Sequence, residues 1–145
     1  MPAHVKVGDT LPSLEKVISQ ERINRWAELS GDFNLLHVDP AYAAKTPFKG
    51  TIAHGPMSLA FLNELMMKCF GLDWLHGGIL ADVRFVSPVR PGDRITVKGV
   101  VTAISNRRDR HYAECELFVE KQDGTKAVVG RGISPMRSIG HPDEP

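Results

Sequence analysis

The chain has 145 residues, with 18 Lys and Arg against 17 Asp and Glu, a formal net charge of +1 and 42% hydrophobic residues. This length favours a single domain, residues 1–145, that can bury a core without metal or disulfide cross-links. The near-neutral charge provides no long-range field for polyanions, which argues against a dedicated nucleic-acid binder or a membrane-surface protein.

Cysteine usage and the N-terminal sequence indicate a compartment. Cys69 and Cys115 lie in apolar sequence, with no CxxC motif and no histidine at metal-ligand spacing. We therefore expect two buried thiols in a reducing environment, no metal site and no redox cofactor. The sequence shows neither a secretory signal nor a stretch long enough to span a bilayer, so the expectation is a cytoplasmic protein.

The first third of the chain predicts an irregular strand, a short helix and a long loop. The segment before Ser19 is weakly strand-like and interrupted by turn residues. Ser19 can cap an amphipathic helix that ends at Gly31. Between Gly31 and Gly55, the regular signal is Asp39 as an N-cap with Pro40 at the first helical position. Long ordered loops tend to carry function, so functional residues are expected here.

The remainder predicts one long helix followed by antiparallel strands. Gly55 and Pro56 begin a helix that ends at Gly71, and its apolar residues surround it except for a narrow polar strip. Alternation of apolar and polar residues then predicts three or four strands. The alternating sets are Ile79, Ala81, Val83 and Phe85, then Ile95, Val97, Val101 and Ala103, then Ala113, Cys115, Leu117 and Val119, and finally residues 127–133 after a turn at Asp123-Gly124. The polar, Pro-rich residues 138–145 predict a flexible tail.

This order of elements predicts a fold class. A helix that is apolar on every side is best buried by a sheet that curls around it. We therefore expect the α+β class and the hotdog fold, in which a curled antiparallel sheet wraps around a long central helix. Such a sheet leaves an edge strand exposed, and pairing with a second copy would cover it. The expectation is a homodimer or a dimer of dimers.

The long loop contains two candidates for acid–base chemistry, Asp32 and His37, with Asn34 between them. Residues five apart diverge by about 140° on a helix and face opposite sides of a strand, so only a bent loop brings them together. Gly31 and Asn34 favour such a bend. From the residue types alone, helix capping and solvation are the more frequent roles of such a pair.

Three segments of the chain form a recognisable pattern: Leu29–His37 (LSGDFNLLH), Asp39–Ala41 (DPA) and Ala53–Gly55 (AHG). Together they resemble the hydratase signature of the MaoC-like family, which contains (R)-specific enoyl-CoA hydratases and related dehydratases. Two positions depart from the family pattern. Leu35 stands where the family usually has Pro, and Ala60 stands where some members have Ser, with Ser58 the nearest hydroxyl.

The resemblance implies a hydro-lyase of fatty acid metabolism that reversibly adds water, in the syn sense, to a trans-2-enoyl-CoA, with CoA as part of the substrate and no cofactor. It implies that Asp32 and His37 activate water toward the β-carbon and deliver a proton to the α-carbon. Addition places negative charge on the thioester oxygen, which a helix N-terminus stabilises. Because Pro56 has no N–H, Gly55 is the candidate donor, with a simple helix cap as the alternative. His54 is expected to bond loop backbone.

Four further residues are candidates for substrate binding, namely Asn34, Phe48, Arg107 and Arg108. Asn34 orients the attacking water or His37, or else holds the loop in an Asx turn. Arg107 and Arg108 lie in the one concentrated positive cluster of the sequence, and they meet the phosphates of CoA or of an acyl-carrier arm unless they form a solvated turn. The residues expected to close the acyl pocket are Phe48, Leu72, Trp74 and Leu75.

Two other functions fit the same fold. Some hotdog thioesterases use an acidic residue of the central helix to cleave acyl-CoA, and Glu64 in the polar strip is the candidate here. The chain would otherwise be a subunit that shapes the pocket of a heteromeric dehydratase. Free CoA as a product distinguishes the thioesterase, and the presence of both Asp32 and His37 favours catalysis over a purely structural subunit.

Overall fold

One antiparallel sheet provides the frame of the molecule. The computed structural model describes residues 5–136, so the predicted tail at 138–145 lies outside the described residues. Within that range the sheet has five strands in the order β1-β3-β4-β5-β2, and every neighbouring pair is antiparallel. The strands are β1 (Leu14–Val17), β2 (Ile79–Phe85), β3 (Arg94–Arg107), β4 (Arg110–Lys121) and β5 (Lys126–Met136).

The helices begin and end where their capping residues predict. They are α1 (Gln20–Ser30), α2 (Leu35–Val38), α3 (Pro40–Ala43), α4 (Gly55–Phe70) and α5 (Leu72–Leu75). The Ser19 hydroxyl accepts a hydrogen bond from the Arg22 N–H, and Gly31 ends α1 in the left-handed conformation at φ 78°. The Asp39 carboxylate caps α3 as expected. The sequence did not predict α2 and α5, because each is a single turn, too short to show a helical period.

The core lies between α4 and the sheet. Leu62, Leu65, Met66 and Cys69 of α4 are buried, and this helix packs against β3, β4 and β5. The apolar sets predicted for β3 and β4 face this core, because Ile95, Val97 and Val101 are buried together with Ala113, Cys115, Leu117 and Val119. The predicted α+β architecture of a sheet around a long helix is therefore confirmed. Among residues 5–136, no helix has the length and apolar character needed to cross a membrane.

Strand β2 breaks the alternation that the sequence shows. Leu80 and Val83 both pack against the core although they have opposite parity, and Ile79 is exposed. The cause is a bulge between Ala81 and Arg84, which shifts the pairing of β2 with β5 by one residue. An inserted residue reverses the faces of the strand on one side of the bulge. The prediction of one uninterrupted alternating face in β2 is thus wrong.

Both cysteine thiols are buried, as expected. Cys69 and Cys115 are free and lie in the core, and burial raises the pKa of the Cys115 thiol to about 12. Because the thiolate is the reactive form, the native protein is expected to be unreactive toward a disulfide reagent at pH 8. Release of the chromophore in the native state and after denaturation tests this, with zero and two equivalents expected. Rapid reaction of one native thiol would contradict it.

Candidate active site

A bent loop brings the two acid–base candidates together. Gly31 turns the chain after α1, and Asp32 follows with its carboxylate accepting a hydrogen bond from the Asn34 N–H at 3.1 Å. Asn34 then caps α2, which carries His37 in its single turn. Asp32, His37 and His54 each offer a side-chain N or O atom, and these atoms all lie within 4.8 Å of one another. The bend that Gly31 and Asn34 favour is therefore present.

The imidazole of His37 has one nitrogen committed and one available. Its Nδ1 lies 2.8 Å from the carbonyl oxygen of Ile52. A carbonyl oxygen only accepts, so Nδ1 carries the proton and Nε2 carries the lone pair. The ring lines a cavity, and its free Nε2 is suited to accept a proton from water.

His54 contacts both acid–base residues. Its side chain is 1% exposed, its ring stacks on His37 with centroids 3.9 Å apart, and its Nε2 donates to the backbone oxygen of Asp32 at 2.9 Å. The expectation that His54 bonds loop backbone is confirmed. Burial lowers the pKa of His54, and the neighbouring His37 lowers it further against the opposing effect of the Asp32 oxygen. The buried ring is therefore neutral at pH 7.

Neutral burial of His54 predicts a loss of stability in mild acid. The unfolded chain binds a proton at this residue near its ordinary pKa of 6.5, whereas the folded chain resists protonation, so the free energy of unfolding falls as pH drops below 6.5. His54→Gln keeps an N–H donor toward Asp32 but does not titrate, so its stability should fall less between pH 7 and 5. Urea unfolding at each pH measures this, and His76→Gln, at an exposed histidine, is the matched control. Equal slopes for wild type and His54→Gln would contradict the assignment.

The same three side chains are the ones that could in principle hold a metal ion. Their geometry does not fit an ion shared by the two imidazoles, because the ring planes are inclined by 26° and stacked. In-plane lone pairs of stacked rings run nearly side by side and do not converge at a bonding distance of about 2.1 Å. The His37 Nδ1 and His54 Nε2 atoms are also occupied by carbonyl oxygens. The cluster is better suited to proton transfer than to metal binding.

Gly55 presents a backbone N–H at the start of α4. The first N–H groups of a helix have no partner within it, and in the part of the chain that the structure describes no side chain caps α4. Pro56 follows without an N–H. A Cβ atom on Gly55 would lie 3.0 Å from two carbon atoms of the Phe85 ring, so glycine allows this ring to cover the helix N-terminus closely. Because α4 gives this N–H no partner and Gly55 lines a cavity, the Gly55 N–H is a candidate donor to a ligand there.

The cavity beside these groups has a volume of about 380 Å³. Its lining residues come from α2, from the loop before α4, from the start of α4, from the end of β2 with the segment that follows it, and from β5. They are His37, Phe48, Ile52, Ala53, His54, Gly55, Ser58, Phe85, Val86, Ser87, Pro88, Val89 and Val128. The wall is mostly apolar, with the two histidines, Ser58 and Ser87 as polar groups. This composition suits an acyl chain with a polar head.

The predicted binding residues fall in different places. Phe48 lines the cavity, as its assignment requires. The Asn34 oxygen accepts from the Leu36 N–H, which is the Asx turn. Arg107 and Arg108 are exposed in the tight turn between β3 and β4, where Arg108 has φ 49°. At this hairpin end His111 pairs with Met136 of β5, which lies eight positions along the strand from Val128 in the cavity, a length of about 26 Å.

Two expectations about the central helix are altered by the structure. The residues Leu72, Trp74 and Leu75 follow the C-terminal end of α4, which is 16 residues and about 24 Å long, so they lie away from the cavity beside Gly55. Closure of the acyl pocket by these residues stays a prediction. Glu64 is not among the described residues that line the cavity. Its carboxylate pairs with Lys16 at 2.7 Å and Lys68 at 3.5 Å, and the hydrogen bond from Lys16 lowers its pKa.

Sequence reasoning missed two parts of the site. Phe85 was placed on a regular strand face, and the bulge in β2 turns it toward Gly55 instead. Gln20 and Thr51 were not singled out, yet their side chains hydrogen-bond to each other beside His37. Neither residue carries charge or belongs to the recognised motif, so the sequence offered no signal for them.

Comparisons with known proteins show the family of this chain. Residues 4–122 match the MaoC like domain family, and the chain belongs to that family. It is 33% identical over 121 residues to an (R)-specific enoyl-CoA hydratase of Aeromonas caviae, covering 83% of this chain and 87% of that enzyme. It is 37% identical over 92 residues to 3-hydroxyacyl-thioester dehydratase Z of Mycobacterium tuberculosis, and the match spans 61% of the length of each.

Solved structures show the same fold. An (R)-hydratase from A. caviae involved in PHA biosynthesis superimposes with a TM-score of 0.76 at 31% identity, covering 92% of this chain and 98% of that one. A MaoC-like dehydratase from Rhodospirillum rubrum superimposes with a TM-score of 0.78 at 24% identity, covering 94% and 96%. The latter likeness concerns the fold alone. The predicted hotdog fold is confirmed.

Proposed function

We propose that this protein is a hydro-lyase that reversibly adds water, in the syn sense, to a trans-2-enoyl thioester and yields an (R)-3-hydroxyacyl thioester. The observation that carries the proposal is the convergence of Asp32 and His37 beside a mostly apolar cavity that His37 and Gly55 line. The hydratase and dehydratase relatives support the same reaction class. The proposal places the protein in fatty acid metabolism.

His37 and Asp32 have complementary roles in this reaction. His37 Nε2 accepts a proton from water while the water oxygen forms a bond to the β-carbon, and the π electrons of the double bond move to the α-carbon and thioester oxygen. Asp32 holds the water against His37. A proton from the pair then bonds to the α-carbon, so the elements of one water molecule are added. A positioned acid–base group contributes about 10²–10⁴-fold.

The helix N-terminus supplies the electrostatic part of catalysis. Negative charge develops on the thioester oxygen when water attacks. The Gly55 N–H donates a hydrogen bond to this oxygen at the positive end of α4, which stabilises the charge. The apolar wall excludes water around the oxyanion, which strengthens the interaction. Phe85 lines the same cavity as Gly55 and adds to its apolar wall. No metal or redox cofactor takes part in the proposed steps.

The two alternative functions make different demands on the site. A thioesterase using Glu64 requires that carboxylate near the thioester, but Lys16 and Lys68 already pair with it. A pocket-shaping subunit does not require Asp32 and His37 to converge, whereas here they do. The hydro-lyase therefore accounts for more of the observed geometry than either alternative.

The proposal is tested by mixing the pure protein with crotonyl-CoA and following the absorbance of the conjugated enoyl thioester. Loss of absorbance with a product oxidised by an (R)-specific dehydrogenase supports the hydro-lyase. Release of free CoA, detected with a thiol reagent, would support the thioesterase instead. No change with crotonyl-CoA or with the matching enoyl-acyl-carrier protein would contradict catalysis by this chain alone and favour the subunit.

A homodimer is part of the proposal. β2 is an edge strand, and three of its terminal or following apolar residues, Ile79, Phe85 and Val86, are exposed. Pairing this edge with a second copy would cover them and place the partner beside the cavity. A second protomer is also needed if Arg107 and Arg108 are to reach substrate phosphates, given their distance from the cavity. Light scattering should give a mass of at least twice 16.0 kDa, and a monomer would refute this part.

A further inference from the structure

The structure shows a closed chain of hydrogen bonds around His37. Gln20, the first residue of α1, donates from Nε2 to the backbone oxygen of His37 at 2.8 Å. Its Oε1 accepts from the Thr51 hydroxyl at 2.6 Å. Thr51 precedes Ile52, whose carbonyl oxygen receives the His37 Nδ1–H at 2.8 Å. Gln20 thus connects the backbone of His37 to the segment that holds its imidazole.

This connection joins two segments that have little regular secondary structure to fix their conformation. His37 lies in α2, a helix of four residues, and Ile52 lies in the extended segment before α4. They are 15 residues apart in the chain. Helix α1 has 11 residues, two buried core side chains and caps at both ends, so it is the most firmly held of the three segments. Through its two side-chain hydrogen bonds, Gln20 fixes both α2 and the segment before α4 to this helix.

The chemistry of the connection requires an uncharged amide. Gln20 donates to a carbonyl oxygen and accepts from a hydroxyl at the same time, which a carboxylate cannot do. Thr51 is 8% exposed, so water has little access to replace its bond. Neither Gln20 nor Thr51 is among the described residues that line the cavity. Their influence on catalysis therefore passes through His37 and not through contact with substrate.

We propose that Gln20 and Thr51 are positioning residues that fix His37 as the Nδ1–H tautomer with Nε2 directed at the attacking water. The effect on turnover rests on the proposed function, whereas the effect on the tautomer does not. Without the Gln20 and Thr51 side-chain bonds, the His37 backbone and the Ile52 carbonyl lose their fixed separation. The ring then leaves the orientation in which Nε2 faces the cavity, and misplacement by about 1 Å costs up to about 10²-fold in rate.

The test uses variants that keep shape and remove hydrogen bonds. Thr51→Val and Gln20→Met should lower kcat for crotonyl-CoA hydration by about 10–100-fold with KM within about twofold. Thr51→Ser retains the hydroxyl and should restore kcat. Asn24→Ala removes the other Gln20 contact, on the solvent side, and is the matched control that should leave kcat unchanged. Thermal melting confirms that each variant is folded.

A second readout is independent of activity. In protein labelled with ¹⁵N-histidine, the His37 ring of wild type should show a protonated Nδ1 and an unprotonated Nε2, and both isosteric variants should show a mixture of tautomers. Wild-type kcat and wild-type tautomer in folded Thr51→Val and Gln20→Met would overturn the inference. If no hydration is found in wild type while the tautomer shifts in the variants, the positioning role stands and the proposed function fails.

Discussion

Asp32→Asn and His37→Ala are each expected to lower kcat for enoyl-CoA hydration by at least about 10²-fold while the fold is retained. Asn in place of Asp32 keeps the oxygen that accepts from the Asn34 N–H, so the loop bend should survive without the negative charge. Ala in place of His37 removes the Nε2 base but leaves its backbone bond to Gln20. Steady-state hydration of crotonyl-CoA measures both effects, with circular dichroism as the check on folding.

Matched variants separate loss of chemistry from loss of charge. Asp109→Asn removes a carboxylate in the exposed hairpin turn, and His76→Ala removes an exposed imidazole after α5. Both are expected to hydrate at the wild-type rate. Because Asp32 and His37 act in one reaction step, the double variant should be little slower than the slower single variant. Near wild-type activity of either single variant would remove that residue from the proposed pair.

Gly55→Pro is expected to lower kcat by about 10²–10³-fold, the usual cost of losing an oxyanion donor. The added Cβ lies 3.0 Å from two Phe85 carbon atoms, as it does in an alanine variant. The preceding backbone accepts proline, because His54 is extended at φ −63° and ψ 136°. The ring removes the N–H that the thioester oxygen would meet. Hydration kinetics measure the loss, and competitive inhibition by butyryl-CoA reports whether the pocket still binds an acyl thioester.

Gly55→Ala is the control for the added side chain. Its Cβ would lie 3.0 Å from the Phe85 ring, and that ring is 56% exposed, so it can move by a few tenths of an ångström. The alanine variant should therefore keep most of its activity, whereas the proline variant should not. Equal activities in the two variants would show that the Gly55 N–H does not stabilise the oxyanion.

Local chemistry made much of the fold predictable. Ser19, Gly31 and Asp39 mark helix ends because their side chain or backbone freedom satisfies groups that a helix leaves unpaired. Strands β3 and β4 were predictable because one face of each is buried and the other is more exposed to solvent, which makes apolar and polar residues alternate in the sequence. The bulge of β2 was not, because Asp82 adopts a left-handed conformation at φ 53° without a glycine to indicate it.

The parts of the candidate site that were predictable are those whose residues lie close together in the sequence. Asp32 and His37 lie five residues apart and in a recognisable motif, so the sequence could single them out as candidates. The partners that orient His37 are uncharged, and Gln20 and Thr51 are 31 residues apart in sequence. Only the three-dimensional arrangement brings them together. The phosphate role of Arg107 and Arg108 stays a prediction, because it depends on how two copies would be placed.

The two ends of helix α1 position two different residues of the site. Its first residue, Gln20, holds His37, and its C-cap, Gly31, sets the direction of Asp32. Inserting one residue in this helix would rotate one end against the other by about 100° and lengthen it by about 1.5 Å. The helix therefore acts as a spacer of fixed length and phase, and its 11 residues should tolerate exchange of exposed side chains far better than a change in their number.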